Sequence, residues 1–179
     1  MYPFLRLPWQ FFLHRNAPPL GILGTHVSRH ICWPVDLDPW NELNNGRTLT
    51  LFDMGRIPLA RRTGLFAALR CKGWGLTVAG SMVRYRRRVQ VFDRLVMRSR
   101  CVTWDKRFFY LEQSLWKADG DCSAHAIYRM AITSRAGIVD PALVVAELGH
   151  GGPAPVMPAA IALWVRAEDA RVWPPMADA

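Results

Sequence analysis

The spacing of apolar side chains predicts two helices in the first part of the chain, with a strand between them. Over residues 1–20, the apolar positions fall on one side of a helix: Phe4, Leu5, Trp9, Phe12 and Leu13. Residues 25–35 alternate between two faces, which is typical of a strand. Over residues 47–70, apolar residues recur at steps of three and four on several sides, which predicts a long buried helix that kinks or breaks at Pro58. Gly64 and Gly73 are the expected helix terminators.

The period of the pattern changes from 3.6 to 2 at Trp74, which indicates a switch from helix to sheet. Four strands are predicted, near residues 75–91, 94–105, 107–118 and 122–135. The links between them are short, so they are expected to form an antiparallel meander. Helical spacing returns twice in the tail, near 141–148 and 158–170, on either side of a connector rich in Pro and Gly.

These elements predict an α+β fold. An antiparallel sheet has one face to bury, and the long apolar helix is the natural partner for that face. An antiparallel sheet wrapped around one long central helix is the arrangement of a hotdog fold. The 179 residues suffice for one such domain, placed over 25–140. Residues 1–24 are predicted to be a mainly helical N-terminal extension, and residues 141–179 a helical tail with a Pro/Gly linker.

The charge is strongly positive and comes almost entirely from arginine. The sequence has 23 Lys and Arg against 14 Asp and Glu, a net charge of +9, and only three of the 23 are lysine. Arginine binds phosphate well, so the excess points to nucleic acid, an anionic membrane surface or a phosphate-bearing ligand such as coenzyme A (CoA). No nucleic-acid-binding motif is present, so nucleic acid is not expected. The sequence contains no uninterrupted run of about 18 apolar residues, so a transmembrane helix is not expected.

Two features of the chain each have two interpretations. On the first predicted meander strand, Arg84, Arg86 and Arg88 would share one face, which is either a clamp for CoA phosphates or a solvated surface. The N-terminal helix lies either on the domain, which we favour, or on a membrane surface through residues 1–15.

The loop before the long helix concentrates polar groups suited to acyl chemistry. Asp36, Asp38 and Glu42 lie within seven residues of one another, and Asn44 or Asn45 is placed to cap the helix. Free N–H groups at a helix start can hold an oxyanion, and a nearby carboxylate can activate water or attack a carbonyl. The structural alternative is that these side chains cap turns and the helix.

Three motifs together resemble one family. They are Asp-Leu-Asp at 36–38 leading into Asn-Asn-Gly-Arg at 44–47 and Leu-Phe-Asp-Met-Gly-Arg at 51–56, Val-Arg-Tyr-Arg-Arg at 83–87, and the stretch 103–113. They are similar to the 4-hydroxybenzoyl-CoA thioesterase-like branch of hotdog proteins, in particular its acyl-CoA thioesterase-like members. The resemblance covers roughly residues 2–150.

The resemblance implies hydrolysis of an acyl thioester, most simply acyl-CoA, without a metal or cofactor. It implies a homodimer or homotetramer, because hotdog active sites form between paired subunits, and the expected compartment is the cytoplasm. The candidate catalytic residues are Asp38, Glu42 and Asn45. The candidate substrate-binding residues are Asn44, Gly46, Leu49, Phe52, Arg84, Arg86 and Arg88.

Glu42 stands where the family usually has histidine. An ionised glutamate cannot donate a hydrogen bond to a thioester carbonyl as a neutral histidine can. Glu42 is therefore either a replacement general base or a sign of lost activity. If activity is lost, the alternative is a non-catalytic protein that binds an acyl chain or acyl-CoA. This alternative includes a peripheral membrane protein. Asp53, on the long helix, is expected to pair with Arg56, although helix carboxylates are catalytic in related enzymes.

Overall fold

The computed structural model describes residues 4–175 as a single sheet with helices on both of its faces. The helices in this part of the chain are α1 (Arg6–Leu13), α2 (Asn45–Arg62), α3 (Leu65–Lys72), α4 (Pro141–Glu147) and α5 (Ala159–Ala170). The strands are β1 (His26–Ile31), β2 (Gly75–Tyr85), β3 (Arg94–Trp104), β4 (Phe109–Lys117), β5 (Cys122–Ser134) and β6 (Gly137–Ile138). A 3-10 turn, Pro34–Asp36, lies between β1 and α2.

The sheet packs around α2 as predicted for a hotdog fold. Its strands are antiparallel in the order β1-β3-β4-β5-β2, with β6 beside β5. The main core lies between one face of the sheet and α2, where Leu51, Phe52 and Met54 have almost no exposed surface. Gly55 permits this close contact, because a Cβ there would lie 2.5 Å from the Met97 sulfur. The predicted α+β class and wrapped sheet are confirmed.

The strand order corrects the predicted four-strand meander. Only β3, β4 and β5 follow one another as neighbours, whereas β2 pairs with β5 at the far edge of the sheet. β2 ends at Tyr85 and not near residue 91, so residues 86–93 form a connection long enough to cross to the other edge. Phe92 donates its N–H to the Cys32 carbonyl over 2.7 Å, so the end of this connection joins β1. Residues 92–93 therefore extend the pairing of β3 with β1 and do not form a tight turn between β2 and β3.

Helix α2 continues through Pro58, so the predicted break there is wrong, whereas the alternative of a kink stays a prediction. A proline removes one backbone hydrogen bond, but Pro58 is buried in a packed helix, and this packing holds the helix in place. The helix breaks instead at Gly64, whose φ of 79° is left-handed. Helix α3 ends at Gly73, also left-handed, with a φ of 64°. The two glycines thus act as the helix terminators that the sequence predicts.

Helix α1 covers the outer edge of β1. Gln10 is buried, and its side-chain Nε2 donates to the Arg29 carbonyl over 3.3 Å, which shields a strand edge that could otherwise pair with another chain. The ring of His14 packs edge-on against buried His26, with ring centres 4.5 Å apart. Burial lowers the pKa of His26 to about 3, so its Nδ1 accepts from Arg62 over 3.1 Å. Helix α1 therefore packs on the domain, as we expected.

The tail forms the two predicted helices. Helix α5 packs on the face of the sheet opposite α2, where Ile161 is buried beside Phe108 and Tyr110. Within residues 4–175, no helix has both the length and the apolar character needed to cross a bilayer. The predicted domain limits at 24/25 and 140/141 stay predictions, and residues 1–3 and 176–179 of the two extensions lie outside the described residues.

The carboxylate of Asp36 joins three segments at the entrance to α2. Its side chain is fully buried and accepts from Arg6 and Arg47, each over 2.8 Å, and from the Trp33 N–H over 3.0 Å. The Asp36 carbonyl accepts from the Asn44 N–H over 2.9 Å. Burial by itself would raise the pKa of Asp36, but the hydrogen bonds from these donors outweigh it, and the pKa lies below its ordinary value.

We predict that Asp36→Asn lowers the free energy of unfolding by about 3 kcal/mol, because it leaves two arginines without their counter-charge in a largely buried site. Chemical denaturation measures this change. Asp121→Asn is the matched control, since Asp121 and its partner Arg87 are both more than half exposed. The control should lose no more than about 1 kcal/mol. Equal losses in the two variants would show that Asp36 is not an anchor.

Candidate active site

The side chain of Asn44 builds the start of α2. Its Oδ1 accepts from the Gly46 N–H over 2.8 Å and from the Arg47 N–H over 3.2 Å, which is an N-cap. The Gly46 amide, predicted as an oxyanion donor, is therefore engaged by the cap. The Asn45 N–H lacks an intrahelical acceptor by its position and is not bound by Asn44. Asn45 is thus the open backbone donor at this helix start.

The carboxylate of Asp38 shapes the loop. Its Oδ1 accepts from the N–H of Trp40 over 2.9 Å and from the N–H of Glu42 over 3.2 Å. The Asp38 N–H in turn donates to the Glu42 carbonyl over 2.8 Å. Asp38 therefore closes a tight turn and positions Glu42, which is the structural role considered for this loop. A catalytic role for Asp38 stays a prediction.

Glu42 lies in a cavity of about 220 Å³ between the loop and the sheet. Its Oε1 forms an ion pair with Nε of Arg88 over 3.1 Å. Asn45 and Arg86 line the same cavity. The fold thus brings together four residues from two separate segments of the sequence. Glu42 and Asn45 lie at the entrance to the central helix, and Arg86 and Arg88 lie in the arginine run.

The arginine run reaches this cavity as a loop and not as a strand face. β2 ends at Tyr85, so residues 86–88 leave the sheet, and all three line the cavity. Arg84, Arg86 and Arg88 therefore do not share one strand face, because only Arg84 belongs to β2. Arg84 stays within β2 and is not among the residues that line the cavity. Its role as a substrate contact stays a prediction.

Leu49 and Phe52 belong to the core between helix and sheet. Phe52 is fully buried, and its ring meets that of Tyr128 edge-on with centres 6.2 Å apart. Leu49 is partly buried and packs against the same core. Neither lines the cavity around Glu42, so acyl-chain binding by these residues stays a prediction. The apolar residues that do line it are Leu43, Val89, Leu115 and Ala124.

A polar network lies further along α2. Asp53 forms the expected ion pair with Arg56. Nη1 of Arg56 donates to Gln113 Oε1 over 3.3 Å, and its guanidinium lies over the Tyr128 ring, 4.1 Å from the centre. Gln113 Nε2 donates to the Phe52 carbonyl over 2.8 Å, which ties the sheet to the helix. Burial raises the pKa of Asp53 although Arg56 opposes the shift.

Sequence reasoning missed Tyr85 and Gln113. The Tyr85 hydroxyl donates to the Asn45 carbonyl over 3.3 Å, and its side chain lines the cavity. No local pattern links residues 40 positions apart. Gln113 did carry a signal, because it is the polar residue between Leu111 and Leu115 on one face of a strand. A polar residue on an apolar strand face indicates a buried hydrogen-bond network.

His125 lies on the sheet outside this cavity. Its Nε2 is 2.9 Å from Glu112 Oε1, and Arg100 pairs with the other carboxylate oxygen over 2.6 Å. The hydrogen bond from His125, together with Arg100, lowers the pKa of Glu112 to about 2. His125 is thus a partnered residue of the sheet surface.

The cavity holds the groups that acyl transfer to water requires. Glu42 supplies a carboxylate, Asn45 an open amide at the positive end of a helix, and residues 86–88 a set of cations. In residues 4–175, no group of three or more His, Cys, Asp or Glu side chains is arranged to hold a metal ion.

A family profile matches the region of the chain that forms this site, and curated proteins match part of the chain. The family profile described as the thioesterase-like superfamily matches residues 32–165. Protein THEM6 of Xenopus laevis is 36% identical over 92 residues, 51% of this chain and 44% of that protein. Protein THEM6 of Danio rerio is 36% identical over 118 residues, 65% of this chain and 58% of that protein. The chain spans about half the length of the curated relatives it matches.

Solved structures share the fold at low sequence identity. The probable thioesterase YbaW of Escherichia coli has a TM-score of 0.65 at 17% identity, over 69% of this chain and 95% of that one. The hypothetical protein SAV2348 of Staphylococcus aureus, solved in complex with CoA, has a TM-score of 0.63 at 13% identity, over 79% of this chain and 94% of that one. Such likeness shows the hotdog fold, and the family profile adds the sequence relationship across most of the chain. The chain belongs to the thioesterase-like superfamily.

Proposed function

We propose that the protein hydrolyses acyl-CoA thioesters in the cavity beside the start of α2. Membership of the thioesterase-like superfamily supports thioester hydrolysis in general. The observation that carries the specific proposal is one cavity lined by Glu42, Asn45 and residues 86–88. The Staphylococcus aureus neighbour solved in complex with CoA supports CoA as the carrier.

Glu42 is the proposed general base. Its carboxylate takes a proton from water as the water oxygen bonds to the thioester carbonyl carbon. The oxyanion that forms accepts a hydrogen bond from the Asn45 N–H, at the positive end of α2. The C–S bond then breaks, and the departing thiolate takes up the proton held by Glu42. Arg88 orients the Glu42 carboxylate, and Asp38 holds the loop that carries it.

Residues 86–88 are the proposed contacts for the CoA phosphates. Guanidinium groups bind phosphate through paired, charge-assisted hydrogen bonds. Arg88 is shared with Glu42, and Arg87 is paired with Asp121. Arg86 enters no ion pair within the described residues and lines the cavity, so it is the strongest candidate.

We predict that Glu42→Gln lowers kcat for acyl-CoA hydrolysis by about 10²- to 10⁴-fold, because an amide cannot take up the proton of water. Asp38→Asn is the matched control. It keeps an oxygen that accepts from the loop amides, so kcat should stay within a few-fold of the wild type. Release of the CoA thiol, followed over a panel of acyl chain lengths, measures both effects.

Other outcomes of this experiment would change the assignment. Loss of turnover in Asp38→Asn alone would make Asp38 the base. Tight acyl-CoA binding by the folded wild type without turnover of any chain length would favour the non-catalytic binding protein. Glu42 in the usual place of histidine is the observation that favours that alternative.

We predict that Arg86→Gln raises KM for acyl-CoA roughly tenfold or more, because a charge-assisted hydrogen bond is lost. KM for the matching acyl-pantetheine thioester, which lacks the nucleotide phosphates, should not change. Arg70→Gln, on an exposed position of α3 outside the cavity, is the control for charge alone. Equal increases in KM for the two substrates would reject the phosphate contact.

We also propose that two copies pair through the free edge of β2. This strand has eleven residues with mostly exposed side chains, and within residues 4–175 it pairs on one side only, with β5. A long unprotected edge readily accepts another strand. Tyr85 at the end of β2 lines the cavity, so a second copy on this edge would lie close to the reaction site.

We predict a dimer of twice the 20.4 kDa chain mass in size-exclusion chromatography with light scattering. Ser81→Glu, at an exposed position near the middle of β2, brings like charges together across a twofold axis and should favour monomers. Ala136→Glu, exposed in the turn between β5 and β6, is the control and should stay dimeric. A dimeric Ser81→Glu variant would reject this interface.

A further inference from the structure

Helix α1 directs large apolar side chains into solvent. Leu5 is 88% exposed, Trp9 56% and Phe12 51%, and the Trp9 and Phe12 rings stack with centres 5.5 Å apart. The same helix is held to the domain by buried Gln10. Contact with an apolar phase would remove this exposed apolar area from water and so lower the free energy.

The apolar surface continues across a groove onto the end of β1. The groove, of about 580 Å³, has Leu5 and Trp9 on one side and Ile31 and Trp33 on the other. Trp33 packs edge-on against Phe92, with ring centres 6.0 Å apart, and the side chains at this end of β1 are more than a third exposed. The tryptophan face is defined here as Leu5, Trp9, Phe12, Ile31, Trp33 and Phe92.

The charged side chains that line the groove within the tryptophan face are arginines. The groove is lined by Arg6, Arg29 and Arg94, and by no carboxylate of the described residues. Arg6 is held by Asp36, whereas Arg29 and Arg94 are exposed and enter no ion pair within residues 4–175. The guanidinium of Arg15 lies over the ring of Phe12, 4.0 Å from its centre. Positive charge therefore accompanies the exposed apolar area.

We propose that the tryptophan face docks on an anionic lipid bilayer. Tryptophan rings favour the boundary between headgroups and acyl chains, and a helix with one apolar side lies flat in that boundary. Arg29 and Arg94 contact the headgroup phosphates. Each such arginine near the surface strengthens binding roughly fivefold.

Two observations favour lipid over a second protein strand. On the outer edge of β1, the Arg29 carbonyl already accepts a hydrogen bond from the Gln10 side chain of α1, so a partner strand would have to displace this contact. Exposed tryptophans interleaved with arginines have the composition of the interfacial belts of membrane-bound proteins.

Co-sedimentation with lipid vesicles tests the proposal, using the whole chain. The wild type should bind vesicles in which about a third of the lipid is phosphatidylglycerol, bind pure phosphatidylcholine vesicles much more weakly, and lose affinity at high salt. Trp9→Glu/Phe12→Glu should abolish binding, and Arg29→Gln/Arg94→Gln should weaken it roughly fivefold for each arginine removed.

The matched control is Leu163→Glu/Val172→Glu, which changes two exposed apolar residues of the tail in the same way and should bind like the wild type. Circular dichroism and light scattering on every variant separate loss of docking from loss of fold or of self-association. No binding of the wild type to phosphatidylglycerol vesicles, or unchanged binding of the Trp9/Phe12 variant, would overturn the proposal. So would equal binding to the two kinds of vesicle, or a change of oligomeric state in the Trp9/Phe12 variant.

Discussion

The buried carboxylate of Asp36 is the interaction on which the arrangement of the site depends. Arg6 brings α1 to it, the Trp33 amide brings the end of β1, and Arg47 brings the first turn of α2. A buried charge is stable only when it is paired and hydrogen-bonded, so these segments have little freedom to separate. The position of the loop that carries Glu42 follows from this, and so does the groove beside the tryptophan face.

Helix α2 packs tightly against the sheet along its body, and its first turn keeps one backbone N–H that is not bound within the helix. Gly55 lets the body approach the sheet closely, and Gln113 reaches from the sheet to the Phe52 carbonyl. Because the body is fixed in this way, the direction of the Asn45 N–H at its start is fixed as well. Asn44 uses its side chain to satisfy the next two amides, which stabilises the helix but leaves a single open donor beside Glu42.

The cavity and the tryptophan face use arginine differently. In the cavity, Arg88 forms an ion pair with the Glu42 carboxylate, and in the proposed mechanism it orients that group. At the tryptophan face, Arg29 and Arg94 have no carboxylate beside them in the groove, so their charge is available to a partner outside the protein. The arginines that give the chain its net charge of +9 therefore differ in role, because the neighbours of each one decide whether its charge is paired or available.

Local patterns in the sequence suffice to predict most of the helices and strands, and its motifs suffice to indicate the family. The alternation in β3 to β5, the helix ends at Gly64 and Gly73, and the tail helices are local patterns that depend on nearby residues, and all are present in the structure. The pairing of β2 with β5 depends on tertiary structure, because it joins segments about 50 residues apart. The end of β2 at Tyr85 is a consequence of that pairing, and it places residues 86–88 at the cavity of Glu42. The sequence named Glu42, Asn45 and the arginines as candidates, but their distances depend on how the sheet closes around α2, which no local pattern encodes.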